Sequence, residues 1–356
     1  MRILYVATIG GFMPFFKSYI RHLLDDGHEI DIATNMTESP LPKYYKEWGC
    51  GVFQISCSRS PFDSGNIAAI KEIKKIVSGK NYDIVHCHTP IAAACTRIAC
   101  RKARKNGTRV IYTAHGFHFY HGAPLKNWLI FYPIEKICSL WTDMIITINK
   151  EDYELAKKKL KSKEIEYVPG VGICTSKFRN TIIDKDRKRE EIGVPKNARM
   201  LLSVGELNDN KNHQIVIKAI AYLHDEDLHY VVAGQGGKKD YLIDLAKSLG
   251  VESHVHFLGY RNDVAELFKC ADLYILPSIR EGLNVSLMEA MASGLPCIAS
   301  RIRGNTDMVP AENCFDPLSV EEVANLIRSD NIRNSDFINS IDTETIKNRM
   351  DGIYGK

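Results

Sequence analysis

PSIREGLNVSLMEAMASGLPCIAS, residues 277–300, is the stretch from which the rest of the chain can be read. Leu273–Leu276 before it is a short apolar strand that Pro277 stops. Glu281-Gly282 reads as a tight turn, glycine being the residue that tolerates positive φ. The run from Leu287 to Ala292 is rich in strong helix formers. Ser293-Gly294 ends that helix, and Leu295-Pro296 leads into a strand from Cys297 to Ala299. The stretch is therefore strand, loop, helix, strand. The backbone N–H groups around Asn284, Val285 and Ser286 open the helix and form a seat for an anion. Two carboxylates flank that seat, Glu281 on the turn and Glu289 on the helix, and each can accept hydroxyl donors from a sugar or a ribose. Acidic residues near a helix start also simply favour the helix dipole, so the spacing alone leaves both readings open.

Composition bounds the remainder. A chain of 356 residues suggests two or three domains at roughly 100–200 residues each. Its 45% hydrophobic and 25% charged residues are those of an ordinary globular protein. The formal net charge of +4 is too small to argue for nucleic acid. Ten cysteines are scattered without a CxxC pair or a Cys/His metal spacing, which reads as buried free thiols in a reducing cytoplasm. No run of about 18 apolar residues suggests a spanning helix, and the N-terminus reads as a first strand rather than a signal peptide.

From the N-terminus, Arg2–Ala7 is an apolar strand, Gly10-Gly11 a turn, the segment from about Pro14 to Leu24 a helix and Glu29–Ala33 a second strand. Continuous apolar strands joined through helices predict a parallel sheet. Gly10-Gly11 falls at the carboxyl end of the first strand, where open α/β sheets bind ligands, although a plain turn explains it equally. The pair is not GxGxxG, so a dinucleotide fold is poorly supported. His86 and His88 alternate on a strand and share a face, which suggests a packed or cleft-lining role rather than a metal site. The loop at 113–122 carries His115, His118 and His121 among aromatics at another strand end. Arg97, Arg101, Lys102, Arg104, Lys105 and Arg109 form a basic cluster near the aromatic segment 124–141. A solvated face and contact with an anionic membrane surface both explain it.

Pro169-Gly170-Val171-Gly172 marks a domain boundary. Beyond it the alternation resumes, with loops at Gly205–His213, Gly234–Gly237 and Gly259–Asp263 each following a strand. Lys211 sits in a loop before a helix, where it can pair with phosphate or be an ordinary exposed lysine. Asp225-Glu226-Asp227 looks like a metal-binding DxD, but it precedes a strand and reads as a solvated loop.

The string from Glu281 to Gly294, with the loops just named and Arg303-Gly304-Asn305-Thr306-Asp307, resembles family 4 glycosyltransferases over nearly the whole chain. The resemblance implies the GT-B architecture: two doubly wound, Rossmann-like α/β domains facing each other across a cleft. Residues 1–170 would form the acceptor domain and 171–340 the nucleotide-sugar domain, with a final helix at about 341–356 packing back on the first. It implies a retaining glycosyltransferase that uses a nucleotide sugar, expected to be UDP-linked, and needs no cofactor and no metal. By resemblance Glu281 contacts the transferring sugar, and His115 completes its site. Glu289 holds the ribose hydroxyls, while Lys211 with Asn284 and Val285 holds the diphosphate. Gly282, Gly234, Tyr260, Arg261, Gly10 and Gly11 are further donor-side positions. Two departures stand out: Cys174 replaces a common Asp, and Glu206 occupies a position where many relatives carry a second cation, a role that Arg280 or Arg303 could take over. Capsule and exopolysaccharide enzymes look most similar, which implies a glycan or polyprenyl-diphosphate-linked acceptor, a cytoplasmic protein and peripheral contact with the inner membrane face. A nucleotide-sugar 2-epimerase on a similar scaffold, and a non-catalytic nucleotide-sugar binding protein, are the competing expectations.

Overall fold

A computed structural model describes residues 1–355. The chain divides into two compact units, one made of Met1–Val171 and the chain from Ile346 onward, the other of Gly172–Thr345.

The first unit holds seven parallel strands: β1 (Arg2–Ile9), β2 (Glu29–Asn35), β3 (Gly51–Gln54), β4 (Ile84–His88), β5 (Arg109–Ala114), β6 (Met144–Thr147) and β7 (Glu164–Tyr167), in the order β3-β2-β1-β4-β5-β6-β7. Side chains alternate across a strand, so β1 feeds two cores. Leu4 and Val6 join Val85, Cys87 and Val110 on one face. Ile3, Tyr5 and Ala7 join Ile84, Ile111 and Met144 on the other. Burial on both faces is why these strands read as continuous apolar runs.

The second unit repeats the plan with β8 (Arg199–Val204), β9 (Leu228–Ala233), β10 (Val255–Gly259), β11 (Leu273–Leu276), β12 (Cys297–Ser300) and β13 (Cys314–Phe315), ordered β10-β9-β8-β11-β12-β13. All its pairings are parallel. Met200 and Leu202 face one core and Leu201 the other. In each sheet the order reverses once, between β1 and β4 and between β8 and β11. Such a reversal opens a crevice at the carboxyl ends of the two strands.

Some expectations change. The helix expected from about Pro14 begins at Lys17, because Gly10–Phe16 winds as a 3₁₀ segment first. That segment lies tight on the loop after β2: the Gly10 amide donates to the Ser39 carbonyl at 3.1 Å, and a Cβ on Gly10 would collide with the Ser39–Leu41 backbone. Gly282 is not among the residues with positive φ, whereas Gly294 is, at +83°, where it ends its helix. Arg97 is not on the surface. Its side chain is wholly buried, Nη1 donates to Glu135 Oε2 at 2.8 Å, and the guanidinium lies 4.3 Å from the Tyr112 ring centroid. Nine cysteines are buried and unpaired; Cys174 alone is exposed.

The last helix, Thr343–Gly355, carries Ile346, Met350, Ile353 and Tyr354 into the core of the first unit. Tyr354 is 3% exposed, and its hydroxyl meets Tyr5 Oη at 2.8 Å and His86 Nδ1 at 2.5 Å. Removing a buried aromatic ring costs about 3–5 kcal/mol. Tyr354→Ala should therefore lower the unfolding free energy of the first unit by that amount in a denaturant titration. Tyr354→Phe should cost about 1–3 kcal/mol by leaving His86 and Tyr5 short of a partner. A loss below about 1 kcal/mol for the alanine variant would contradict this packing.

Candidate functional site

The crevice between β8 and β11 collects the chemistry of the second unit. The loop after β8 carries Lys211, and the loop after β11 carries Glu281; Lys211 Nζ lies 2.7 Å from Glu281 Oε1. Both side chains are largely sheltered, at 17% and 13% exposure. Their positions are fixed by the backbone. The Ile279 amide donates to the Asn210 carbonyl at 2.8 Å, and Asn210 Nδ2 donates to the Arg280 carbonyl at 2.9 Å. Asn212, in the left-handed region at φ +52°, donates from Nδ2 to the carbonyls of Pro277 and Pro317. Asn208 Oδ1 accepts from the Lys211 amide at 2.9 Å. The lysine stem then runs over Gly205, where an added Cβ would lie 3.3 Å from Lys211 Cε.

Just beyond Glu281 the helix Val285–Ala292 begins. Asn284 caps it, its Oδ1 accepting from the Leu287 amide at 3.1 Å and from Ser286 Oγ at 2.7 Å. The cap satisfies one first-turn amide, and Val285 and Ser286 belong to the N–H groups that a helix cannot pair within itself. Positive dipole and unladdered amides thus point from the helix start beside Lys211 and Glu281.

Glu289 lies one turn along this helix. Burial raises its carboxyl to about 7, and Lys177 pulls it partly back. Lys177 belongs to the short helix Thr175–Arg179, far away in sequence, and nothing local could have signalled it.

The neighbouring loops are stitched to the same end of the sheet. A Cβ on Gly234 would strike the Gly205 carbonyl, and Gly234 bridges Gly259. Gly304, at φ +80°, rests against the Gly282 carbonyl so closely that no side chain fits. Tyr260 is 71% exposed. Arg261 is placed differently from a ligand-facing cation: its Nη2 lies 2.6 Å from Glu191 Oε1, and its Nε donates to Asp263 Oδ1 at 2.8 Å. That ion network anchors the 259–263 loop. Asp225, Glu226 and Asp227 are exposed on the turn before β9, at the opposite end of the strand from these loops.

In the first unit His115 follows β5. Its Nε2 meets His88 Nδ1 at 3.2 Å, and its ring stands edge-on to Phe12, centroids 4.9 Å apart. His86 and His88 pack ring to ring at 4.2 Å. Burial lowers His86 to about 3 and His115 to about 4, and pushes His88 well down, so the three are neutral near pH 7. Gly10-Gly11 opens the 3₁₀ turn that also holds Phe12. His118 is exposed and stacks on Phe131, and His121 is exposed.

Residues 184–330 match the family "Glycosyl transferases group 1" and residues 2–149 match "Glycosyl transferase 4-like". EpsD of Bacillus subtilis strain 168, whose name assigns it provisionally as a glycosyltransferase, is 41% identical over 88% of this chain and 82% of its own. The chain belongs to the family 4-type glycosyltransferases. A UDP-Gal:alpha-D-GlcNAc-diphosphoundecaprenol alpha-1,3-galactosyltransferase of Escherichia coli is 30% identical over 72% of this chain and 68% of its own. Among solved structures, Anabaena HepE in complex with UDP superposes at a TM-score of 0.81 over all of both chains, with 18% identity. It carries the GT-B fold over to this glycosyltransferase.

The raised Glu289 carboxyl has a consequence for stability. An unfolded Glu titrates near 4.3. Between about 4.3 and 7 the folded chain keeps a proton that the unfolded chain has lost. Stability therefore falls as pH rises through that window, and the loss persists above it. Glu289→Gln removes the effect. Its ligand-free melting temperature should exceed that of the parent at pH 8, with the gap closing toward pH 5; a parent that melts higher at pH 8 would sink the assignment.

Proposed function

We propose that this glycosyltransferase moves a sugar, with retention, from a UDP-sugar to a lipid-linked glycan acceptor in cell-surface polysaccharide synthesis. The observation that carries the reading is the Lys211–Glu281 pair at the β8/β11 crevice, beside the start of the Val285–Ala292 helix. A diphosphate seated there meets the lysine charge, the amides at Asn284 and Val285 and the helix dipole. Glu281 is within reach of the sugar on that diphosphate and accepts from its hydroxyls. Glu289, farther along the helix, accepts from the ribose. HepE is described in complex with UDP and with UDP-glucose, and the E. coli relative's name pairs a UDP-sugar with a diphosphoundecaprenol-linked acceptor. Both support UDP and a lipid-linked acceptor here.

In the reaction the bond from the sugar's anomeric carbon to the diphosphate breaks, and a bond to the acceptor oxygen forms on the same face. The acceptor's proton passes to the departing phosphate oxygen, and UDP leaves. Lys211 and the helix start stabilise the charge that builds on the leaving group, a contribution of the oxyanion-hole type. His115, kept neutral by burial, is assigned to the sugar's hydroxyls, where it can donate or accept a hydrogen bond. No cofactor is assigned, and the donor's charge is assigned to Lys211 and helix amides rather than to a metal.

A binding panel tests the donor class. UDP and one UDP-sugar should raise the melting temperature, by about 2.7 kcal/mol of stabilisation at a hundredfold excess over Kd, with no effect of EDTA and a smaller rise in Glu289→Ala. With a polyprenyl-diphosphate sugar acceptor, Glu281→Ala should lower kcat/KM by about 10²–10³. Epimer formation from UDP-N-acetylglucosamine without acceptor would favour the epimerase instead, and binding without turnover on any acceptor would favour a nucleotide-sugar binding protein.

The acceptor's lipid directs attention to the helix Leu125–Ser139. No helix of the described residues is long and apolar enough to cross a membrane. This one instead exposes Leu125 (73%), Leu129 (69%) and Ile137, with Leu140 exposed just past its end, while Trp128 and Tyr132 turn inward against Phe119. Lys126 and Lys136 are exposed on the same helix, and Arg101 lies over the neighbouring Trp141 ring at 4.3 Å. Apolar side chains rimmed by cations suit an anionic bilayer surface, and we assign this face to the cytoplasmic leaflet. The protein should co-float with vesicles containing anionic lipid, less so at high salt. Leu129→Asp should abolish the association; equal flotation of parent and variant would refute it.

A further inference from the structure

We propose that His88 is a positioning residue for sugar transfer: its Nδ1 holds Nε2 of His115, so that His115 offers the transferring sugar a donor, its Nδ1 N–H. The inference rests on the sugar-contact reading of His115 and deepens it.

His88 is a polar ring in apolar surroundings. It ends β4 and is 1% exposed. Its ring stacks on Tyr5, with centroids 5.6 Å apart and planes 12° from parallel, and its centroid lies 4.1 Å from that of Phe16. It lines a cavity of about 40 Å³ together with Tyr5, Phe16, Val168 and Met350. Its Nε2 is buried with no hydrogen-bond partner. An unpaired nitrogen of this kind costs free energy that a phenylalanine in the same packing would not. His86, two residues earlier, has both nitrogens paired, with Tyr354 and Thr113. For the His88 side chain the one polar contact is Nδ1 to His115 Nε2, at 3.2 Å. Packing accounts for an aromatic ring at this position; only the contact with His115 accounts for its nitrogens.

The backbone at this point is strained. Thr89, next in the chain, sits at φ +64° and ψ 141°. A β-branched residue rarely adopts positive φ, and such strain persists only where the surroundings impose it. Here β1 imposes it: Thr89 Oγ1 accepts from the Thr8 amide at 3.1 Å and meets Thr8 Oγ1 at 2.7 Å. The same hydroxyl donates to the His88 carbonyl. The end of β4 is thereby fixed at the residue whose ring reaches His115.

The direction of the His88–His115 bond follows from counting protons. Burial keeps both rings neutral near pH 7, and a neutral imidazole has a single N–H. If His115 donated from Nε2, His88 would carry its own proton on Nε2, as a buried N–H without a partner. If His88 donates from Nδ1, only a lone pair on its Nε2 is left unmatched. Orphaned buried N–H groups are rarer than unfilled acceptors, which gives the donor role to His88 Nδ1. His115 Nε2 then accepts, and the His115 proton sits on Nδ1. Phe12 at 4.9 Å and Phe16 at 5.9 Å, both edge-on, hold the His115 ring in that orientation.

The test uses the full chain, with UDP, the UDP-sugar selected by the binding panel and a polyprenyl-diphosphate sugar acceptor, and the variants His88→Phe and His88→Asn. Phenylalanine keeps the stacking, and the adjoining cavity can take its larger ring. Asparagine can place an amide N–H where Nδ1 stands. His88→Phe should melt no lower than the parent and bind UDP within about twofold, yet lose about 10–100-fold in kcat, the scale of a misplaced contact at a reacting centre. His88→Asn should melt lower than His88→Phe but recover part of the lost kcat. Activity and stability then run in opposite orders, which a packing role does not produce. The nitrogen NMR spectrum, with His115 located by its loss in His115→Gln, should show that ring protonated on Nδ1 in the parent, and no longer held in that form in His88→Phe. A parental kcat in His88→Phe would overturn the proposal. So would a His115 ring protonated on Nε2 in the parent, or a His88→Asn no more active than His88→Phe. A parent that shows the Nδ1 proton but transfers no sugar would instead remove the sugar-transfer reading, and this inference with it.

Discussion

The reversal of strand order between β8 and β11 is the constraint on which the site depends. In a sheet wound in one direction, successive loops cross the same edge side by side and their side chains do not converge. At the reversal, the loop after β8 leaves toward one face and the loop after β11 toward the other, and a crevice opens between them. Lys211 and Glu281 meet across it at 2.7 Å. The contacts of Asn210 and Asn212 with the 277–280 segment hold that meeting in place without using either charged group. The backbone therefore carries the cost of bringing the charges together, and the side chains remain available for chemistry. Preorganisation of this kind is what makes an electrostatic site effective, since no reorganisation is needed when charge develops.

Burial sets the proton state of the remaining groups. Glu289 is raised to about 7 by loss of water, with Lys177 opposing the shift. The three histidines of the first unit are lowered by the same cause, and each is held by aromatic or hydrogen-bonding neighbours rather than by a carboxylate. A neutral His115 can donate or accept a hydrogen bond, where an imidazolium could only donate. Its Nε2 is occupied by His88, so the tautomer of one ring is tied to that of the other. His86 in turn leans on Tyr354 of the last helix and on Thr113. The packing of that helix is therefore continuous with the polar chain beneath His115.

Much of this was legible because the decisive elements are local. Residues 273–300 carry a short apolar strand, its proline stop, a run of helix formers and a glycine helix end, and the structure builds β11, the Val285–Ala292 helix and β12 from them. What escaped depends on tertiary contact. The short strands β3 and β13 and the 3₁₀ turn at Gly10 are too brief for periodicity to reveal. Arg97 reads as one of a run of surface cations, yet folding buries it against Glu135, and only the partner's position decides that. Lys177, Tyr354 and the Glu191–Arg261–Asp263 network act on residues distant in sequence, and no motif announces them.

Glycines illustrate the same division between local and tertiary demands. At Gly294 the requirement is conformational and can be read from the chain, because a helix ends there in the left-handed region. At Gly234 it is steric and cannot, because the excluded volume belongs to Gly205, a residue on another loop. Gly304 combines both, with positive φ and the Gly282 carbonyl against it. These close approaches let the loops after β8, β9, β11 and β12 crowd one sheet end. A single methyl at Gly234 or Gly304 would force two loops apart and carry Lys211 or Arg303 with them. The sheet end is thus shaped by side chains that are missing as much as by those that are present, and its charges owe their spacing to backbone that touches backbone.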